Sequence, residues 1–281
     1  MILIAESGST KTEWAIIDEN YVIGHEFTEG INPFFQSRRE ISHSVRLGLP
    51  EHFFRKRFET VYFYGAGCTT TDRKEIIRAS LVAQFKSPIE VESDLLAAAR
   101  GLLKNEAGIA CILGTGSNSC FYDGKQILQN VRSLGYILGD EGSGAVMGRI
   151  FLADCLKELA PKELMESFYD KFRITADDAL ESVYSRPFPN RFLSTISFFL
   201  NEHLDNEYVY NLVYSNLRNF FIRNIFQYKY RDYPISFVGS VAYVYAKILN
   251  SVAKEFDISI SNITETPMSG LVDYHSKVYK L

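Results

Sequence analysis

Cysteine is scarce in this chain, and its arrangement is uninformative in a useful way. The four, Cys68, Cys111, Cys120 and Cys155, form no CxxC pair and no Cys/His group at zinc-ligand intervals. That argues against a disulfide framework and a zinc module, and leaves buried free thiols in a reducing compartment as the expectation. Long apolar runs are missing too. The opening Met1-Ile2-Leu3-Ile4-Ala5-Glu6 turns acidic too soon for a secretion signal, and no stretch approaches the roughly 20 apolar residues of a membrane helix. A cytoplasmic protein is expected. An excess of positive charge is also lacking: the formal net charge is -4, and the one basic cluster is the short Phe53-Phe54-Arg55-Lys56-Arg57-Phe58. Without a basic stripe, nucleic acid is not an expected partner, and neither is a membrane.

What is present describes an ordinary folded protein. Apolar residues make up 46% and charged residues 23% of 281 positions, enough to bury a core and enough chain for two packed domains. Strands are predicted at Ile2–Ala5, Glu13–Asp18, Tyr21–Phe27, Thr60–Tyr64 and Ile89–Val91, with helices at Arg38–Leu47, Asp72–Phe85 and from Asp94 onward. A second cycle opens at Ile109–Leu113, turns at Gly114-Thr115-Gly116-Ser117 and returns through Ser119–Tyr122 to the turn Asp123-Gly124. It repeats the opening strand, small-residue tip and strand, which reads as an internal duplication. Residues 140 to 230 read as largely helical, broken at Pro161 and Pro187-Phe188-Pro189. They are followed by a strand at Ile235–Val238, a helix at Val241–Glu255, a strand at Ile258–Ile260 and a closing helix at Pro267–Leu281. The formula is a mixed α/β fold in two related halves.

Five segments gather groups that chemistry can use. Glu6-Ser7-Gly8-Ser9-Thr10-Lys11-Thr12 is a tight turn whose small residues let backbone N–H groups approach phosphate oxygens, with hydroxyls as further donors. It is not a Walker loop, because Lys11 follows a hairpin tip rather than opening a helix; an ordinary turn has the same composition. Leu113-Gly114-Thr115-Gly116-Ser117-Asn118-Ser119 is built in the same way. In Gly135–Gly144, glycines surround the pair Asp140-Glu141 ahead of a helix from about Ala145. Such a pair suits a sugar hydroxyl or the water shell of Mg²⁺, while Glu141 could equally favour the helix dipole. Asp94 stands at a strand-to-helix junction, where aspartate commonly caps the helix. Phe237-Val238-Gly239-Ser240-Val241-Ala242 runs from strand through glycine turn to helix, a setting for adenine or ribose against backbone.

In this order the segments resemble the phosphate-1, catalytic-aspartate, phosphate-2 and adenosine segments of the superfamily of actin, heat-shock chaperones and sugar kinases. Within it, they resemble the branch of N-acetylglucosamine kinases and the ATPases that activate 2-hydroxyacyl-CoA dehydratases. The likeness runs from residue 2 to about 245. It implies two ribonuclease H-like (actin-like ATPase) domains with a central cleft, residues 1–106 and 107–281, the second with a helical insertion and the last helix packing back on the first domain. It further implies that Ser9, Thr10, Lys11, Gly114, Thr115, Gly239 and Ser240 meet ATP and that Asp94 accepts the proton of the attacking hydroxyl. Asn32, in Gly30-Ile31-Asn32-Pro33, would hold the sugar with Ser117, Asn118, Gly135 and Asp140. Glu6 would meet Mg²⁺ through water, and a homodimer is compatible. Many superfamily members have aspartate at the position of Glu6, whereas this chain has glutamate, as acetylglucosamine kinases also do. Ser133-Leu134-Gly135-Tyr136 replaces the Gly-Trp-Gly type of sequence in those kinases, which leaves glucosamine, N-acetylglucosamine and N-acetylmuramic acid open as acceptors.

Phosphoryl transfer needs an aligned nucleophile, neutralised phosphate charge and excluded water. Asp94 is expected to serve as an ionised base at neutral pH without a large pKa shift. Two rivals stand beside a kinase. A dehydratase activator would present cysteines together at a surface for an iron–sulfur cluster; a sugar- or nucleotide-binding protein on the same fold would have no catalysis.

Overall fold

The computed structural model describes residues 1–19 and 21–278. Strands β1 (Ile2–Ser7), β2 (Lys11–Asp18) and β3 (Tyr21–Glu29) form an antiparallel meander. Helices α1 (Arg38–Gly48) and α2 (Glu51–Phe54), strand β4 (Val61–Gly65), helix α3 (Thr71–Phe85), strand β5 (Ile89–Ser93) and helix α4 (Asp94–Leu103) follow, with β4 parallel to β1 and β5 parallel to β4. The cycle then restarts with β6 (Ala107–Leu113), β7 (Ser117–Asp123) and β8 (Ile127–Val131). A helical stretch comes next: α5 (Gly135–Leu138), α6 (Gly144–Leu156), α7 (Lys162–Phe172), α8 (Ala176–Tyr184), α9 (Pro189–Asn201) and α10 (Glu207–Arg223). It closes with β9 (Ile235–Val238), α11 (Ser240–Val244), α12 (Ala246–Glu255), β10 (Ile260–Thr264) and α13 (Met268–Val278). The first sheet is ordered β3-β2-β1-β4-β5. The second, read from its opposite edge, is β8-β7-β6-β9-β10. Element for element the two orders correspond, so the repeat seen in two short motifs extends to whole sheets.

The chain divides into two compact units, one of Met1–Ala110, Tyr122–Leu128 and the stretch from Thr266 onward, the other of Cys111–Phe121 and Gln129–Glu265. In the first unit, alternation along the strands feeds two cores. Leu3, Ala5, Trp14 and Ile16 pack with Ile41 and Val45 of α1 and Ile77, Leu81 and Phe85 of α3. Ile2, Ile4, Ala15 and Ile17 face Ala97 of α4 and Met268 and Leu271 of α13. Helices α4 and α13 meet backbone to backbone: a Cβ on Gly270 would stand 1.8 Å from the Gly101 carbonyl oxygen. Beside that crossing, Arg100 Nη1 donates to the Tyr64 hydroxyl at 2.8 Å, and the same hydroxyl lies 2.9 Å from His275 Nε2. Arginine only donates, so the tyrosine proton goes to His275, whose own proton sits on Nδ1. Burial, with Arg100 adding to it, pushes the His275 pKa down to about 3.

In the second unit, Phe237 of β9 lies among Phe220 and Phe221 of α10. Helix α6 presses on α9 through glycines, a Cβ on Gly148 falling 1.9 Å from the Leu193 carbonyl oxygen. Pro161 and Pro189 do stand at helix starts. Several elements depart from expectation, among them α5, which stands in the glycine segment ahead of α6. The 241–255 helix is split at Tyr245, whose buried hydroxyl bonds to the Ser197 carbonyl of α9. The strand expected at 258–260 begins only at Ile260, because Asp257, at φ 57°, turns the chain first. The short elements β8 and α2 carry weak patterns and went unread. Among the described residues no helix is long and apolar enough to cross a membrane, and Tyr279–Leu281 of the expected closing helix lie outside the described residues.

Candidate active site

In the first unit the β1–β2 tip is closed by the Gly8 N–H donating to the Lys11 carbonyl at 3.0 Å and is tied to the segment after β3. Buried Ser7 does the tying: its Oγ accepts from Ile31 N at 2.8 Å and lies 2.8 Å from Thr12 Oγ1. Gly30 crosses so closely that a Cβ there would be 2.7 Å from the carbonyl oxygens of Gly8 and Ser9. This contact brings Asn32 beside the tip that carries Ser9 and Thr10. The Asn32 Oδ1 accepts from Phe34 N at 2.9 Å and fills the space beside Gly67, where a Cβ would come within 2.2 Å of it. Lys11 does not lie over the tip; its Nζ sits 4.9 Å from the centre of the Phe27 ring.

Asp94 opens α4, yet the cap is Ser93, whose Oγ accepts from Leu96 N at 3.2 Å. The aspartate is therefore not consumed by capping, and its Oδ1 accepts the neighbouring Leu95 N–H at 2.9 Å. The expectation of an unshifted base is corrected: burial outweighs the stabilising backbone N–H groups of Leu95 and Asp94 and raises its pKa to about 6. Glu6 is raised further, to about 8, by burial first and then by Asp94 and Glu13, with Lys11 opposing. The strand register places Glu13 directly opposite Glu6. Glu13 Oε1 pairs with His25 Nε2 at 2.8 Å, while its buried Oε2 has no partner. Two carboxyls whose pKa values are driven apart can divide the roles of base and proton holder. Crowded carboxyls with little facing cation also fit Mg²⁺, which takes one or two carboxylates and completes its shell with water and phosphate. Among the described residues no three His, Cys, Asp or Glu side chains form a metal cage.

In the second unit the β6–β7 tip is held from behind. The Gly114 N–H donates to the Gly116 carbonyl at 2.9 Å, and the Gly114 and Thr115 carbonyls accept from Gly144 (2.9 Å) and Ala145 (3.2 Å) at the start of α6. On its other side Gly114 is open: an added Cβ would meet nothing within 4 Å. Asp140 has left-handed backbone, φ 55°. Its carboxylate accepts the N–H groups of Ser117 and Gly135, and Oδ2 lies 2.9 Å from where a Gly116 Cβ would be. Its Oδ1 is buried without a partner. Burial, with the adjacent Glu141 adding to it, raises the Asp140 pKa to about 7. Asp140, Ser117 and Gly135 thus converge, leaving one acceptor valence open. The Asn118 Oδ1 is engaged within the protein, accepting from Ser119 N and Asn130 Nδ2, both at 2.9 Å. The Gly239-Ser240 turn closes on this tip: Gly239 has φ 122°, and a Cβ there would be 2.3 Å from the Leu113 carbonyl oxygen.

Sequence reasoning missed Glu13, Asn216 and Arg223. Glu13 could have been found by counting alternate residues back along β2 from the tip; the other two lie on α10 and carry no local signal. All four cysteines are buried and lie outside any disulfide. Burial pushes the thiols of Cys68 and Cys155 up to about 12 and that of Cys111 well above its ordinary value, so these four do not present thiolates together at a surface.

A protein from Porphyromonas gingivalis, named as a candidate N-acetylglucosamine kinase, is 45% identical and matches 99% of this chain and 100% of its own with a TM-score of 0.94. The chain belongs to that family of sugar kinases. Two more distant structures share the sugar-kinase fold. One is a candidate N-acetylglucosamine kinase from Chromobacterium violaceum (TM-score 0.74, 14% identity, 97% of this chain and 98% of its own). The other is a ROK family glucokinase from Streptomyces griseus in complex with glucose and AMPPNP (TM-score 0.58, 13% identity, 97% of each chain). No family profile and no curated protein matches the chain.

Proposed function

We propose that this sugar kinase is a cytoplasmic enzyme that transfers the γ-phosphate of ATP to an amino sugar, with N-acetylglucosamine as acceptor and O6 as the hydroxyl phosphorylated. The observation that carries the reading is Asp94, an aspartate released from capping and held with its pKa near the working range of a base. Ionised Asp94 hydrogen-bonds the acceptor hydroxyl and takes its proton as the new O–P bond forms and the bond from γ-phosphorus to the bridging oxygen breaks, releasing ADP. Backbone N–H groups and hydroxyls at Ser9, Thr10, Gly114 and Thr115 receive the phosphates, with Lys11 swinging from Phe27 to add its charge. Gly239 and Ser240 receive the nucleoside. Asn32, Ser117, Gly135, Asp140 and the amide nitrogen of Asn118 orient the sugar, the open Oδ1 of Asp140 accepting from one of its hydroxyls. Glu6, once deprotonated, would hold Mg²⁺ through water, and the bound ion would supply neutralisation of phosphate charge.

The name of the relative from Porphyromonas gingivalis supports the choice of acceptor. The test is ATP turnover against N-acetylglucosamine, glucosamine and N-acetylmuramic acid, with the phosphorylated carbon located by NMR. N-acetylglucosamine is expected to give the highest kcat/KM and a 6-phosphate. Preference for another sugar would remove the acceptor assignment, and absence of any sugar-dependent turnover would remove the function.

A further inference from the structure

We propose that one face of α10, made by Asn216, Phe220 and Arg223, is the positioning element for the Asp140 loop and thereby sets the affinity for the sugar. The inference rests on the reading that Asp140 holds the acceptor. The loop cannot hold its shape by itself. Asp140 at φ 55° and Gly142 at φ 81° are both left-handed, and a non-glycine residue keeps that conformation only where its surroundings over-determine it.

Asp140 itself is held by the Ser133 carbonyl and by the N–H groups of Ser117 and Gly135; the following Glu141, Gly142 and Ser143 are met by a single helical face, because positions i, i+4 and i+7 stack on one side of a helix. Buried Asn216 uses both ends of its amide: Oδ1 accepts from Gly142 N at 3.2 Å and Nδ2 donates to the Ser143 carbonyl at 3.2 Å. Phe220 lies under Gly142, where an added Cβ would be 3.0 Å from the Phe220 Cβ. Arg223 Nε pairs with Glu141 Oε1 at 2.5 Å. Glu141 therefore does not serve the α6 dipole, whose leading amides bond to Gly114, Thr115 and Ser143. It is drawn toward α10 and away from its neighbour. Without Arg223 a second carboxylate stands unopposed next to Asp140, where it repels the charge and competes for any hydroxyl proton offered to the open Oδ1.

Arg223 is well exposed, with 63% of its side chain accessible, and an exposed ion pair contributes little to stability. A positioning role and a merely structural one thus predict different readouts. The experiment uses the purified full chain as Arg223→Met, Arg223→Lys, Glu141→Gln, the Arg223→Met/Glu141→Gln double variant and Asp140→Asn. It measures KM and kcat for N-acetylglucosamine, KM for ATP, N-acetylglucosamine affinity by calorimetry, and Tm. Arg223→Met is expected to raise the sugar KM and Kd about tenfold with the ATP KM and Tm unchanged, the signature of lost substrate positioning. Arg223→Lys should restore most of that, and in the Glu141→Gln background Arg223→Met should add nothing. Sugar KM and Kd within about twofold of the parent in Arg223→Met, or an undiminished effect in the Glu141→Gln background, would overturn the proposal. If at the same time Asp140→Asn loses the sugar, the reading of Asp140 survives; if Asp140→Asn binds the sugar normally, that reading fails on its own account.

Discussion

Asp94 is asked to be charged at neutral pH and is placed where charge is disfavoured. Its raised pKa means the folded chain binds a proton between the ordinary aspartate value of 3.8 and about 6 that the unfolded chain does not. The penalty for keeping it ionised is absent below that window and fully present above it. Asp94→Asn is accordingly expected to raise stability at pH 7, on the order of 3 kcal/mol, while lowering turnover at least about a hundredfold and leaving ADP affinity intact. Thermal melts, steady-state rates and calorimetry together check this, and near-normal phosphorylation by the variant would remove Asp94 as the base. In the parent enzyme, kcat/KM should fall about tenfold per unit as pH drops below about 6. An acid limb centred near pH 4 would show that burial does not tune this group. From the sequence, the strand-to-helix junction of Asp94 reads as a helix cap, and its part as a base comes only from the resemblance to sugar kinases. Its titration was not legible there, because burial is conferred by residues distant along the chain.

Among the elements, glycines separate packing from ligand chemistry. At Gly270 a Cβ would collide with the α4 backbone, so Gly270→Ala should force α13 off α4 and cost about 1–3 kcal/mol, read by urea denaturation. At Gly114 a Cβ would meet no protein atom, so only a bound ligand can object to one. Gly114→Ala is expected to melt with the parent and to bind nucleotide several-fold more weakly; unchanged nucleotide affinity would count against this tip as a phosphate site. These tips were readable because close backbone approach demands small residues, and composition records that demand. Element β8 was not, since its Ile127–Val131 run is an edge strand with three exposed residues at its centre and shows little alternation. Asn216 and Arg223 were equally silent, as their partners arrive only once α10 folds over the loop.

At the scale of the molecule, His275 makes stability sensitive to acid. Its folded pKa, about 3, lies below the ordinary 6.5, so the contribution is complete above 6.5 and is lost as pH falls from there toward 3. Tm should drop across that window, and His275→Gln, which keeps an acceptor for Tyr64, should flatten the drop; an equally steep fall in the variant would place the acid sensitivity elsewhere. The four buried thiols should react with a thiol reagent only on unfolding, and the purified protein should be free of iron, whereas prompt labelling of two cysteines would revive the activator reading. The first unit is also discontinuous in sequence, its second core being completed by Met268 and Leu271. During synthesis, therefore, Ile2, Ile4, Ala15 and Ile17 stay only partly covered, by Ala97 of α4, until the ribosome has made the stretch beyond Thr266. The half of the enzyme that is translated first is the last to be sealed, and a chaperone that shields greasy strand faces would find its target there throughout elongation.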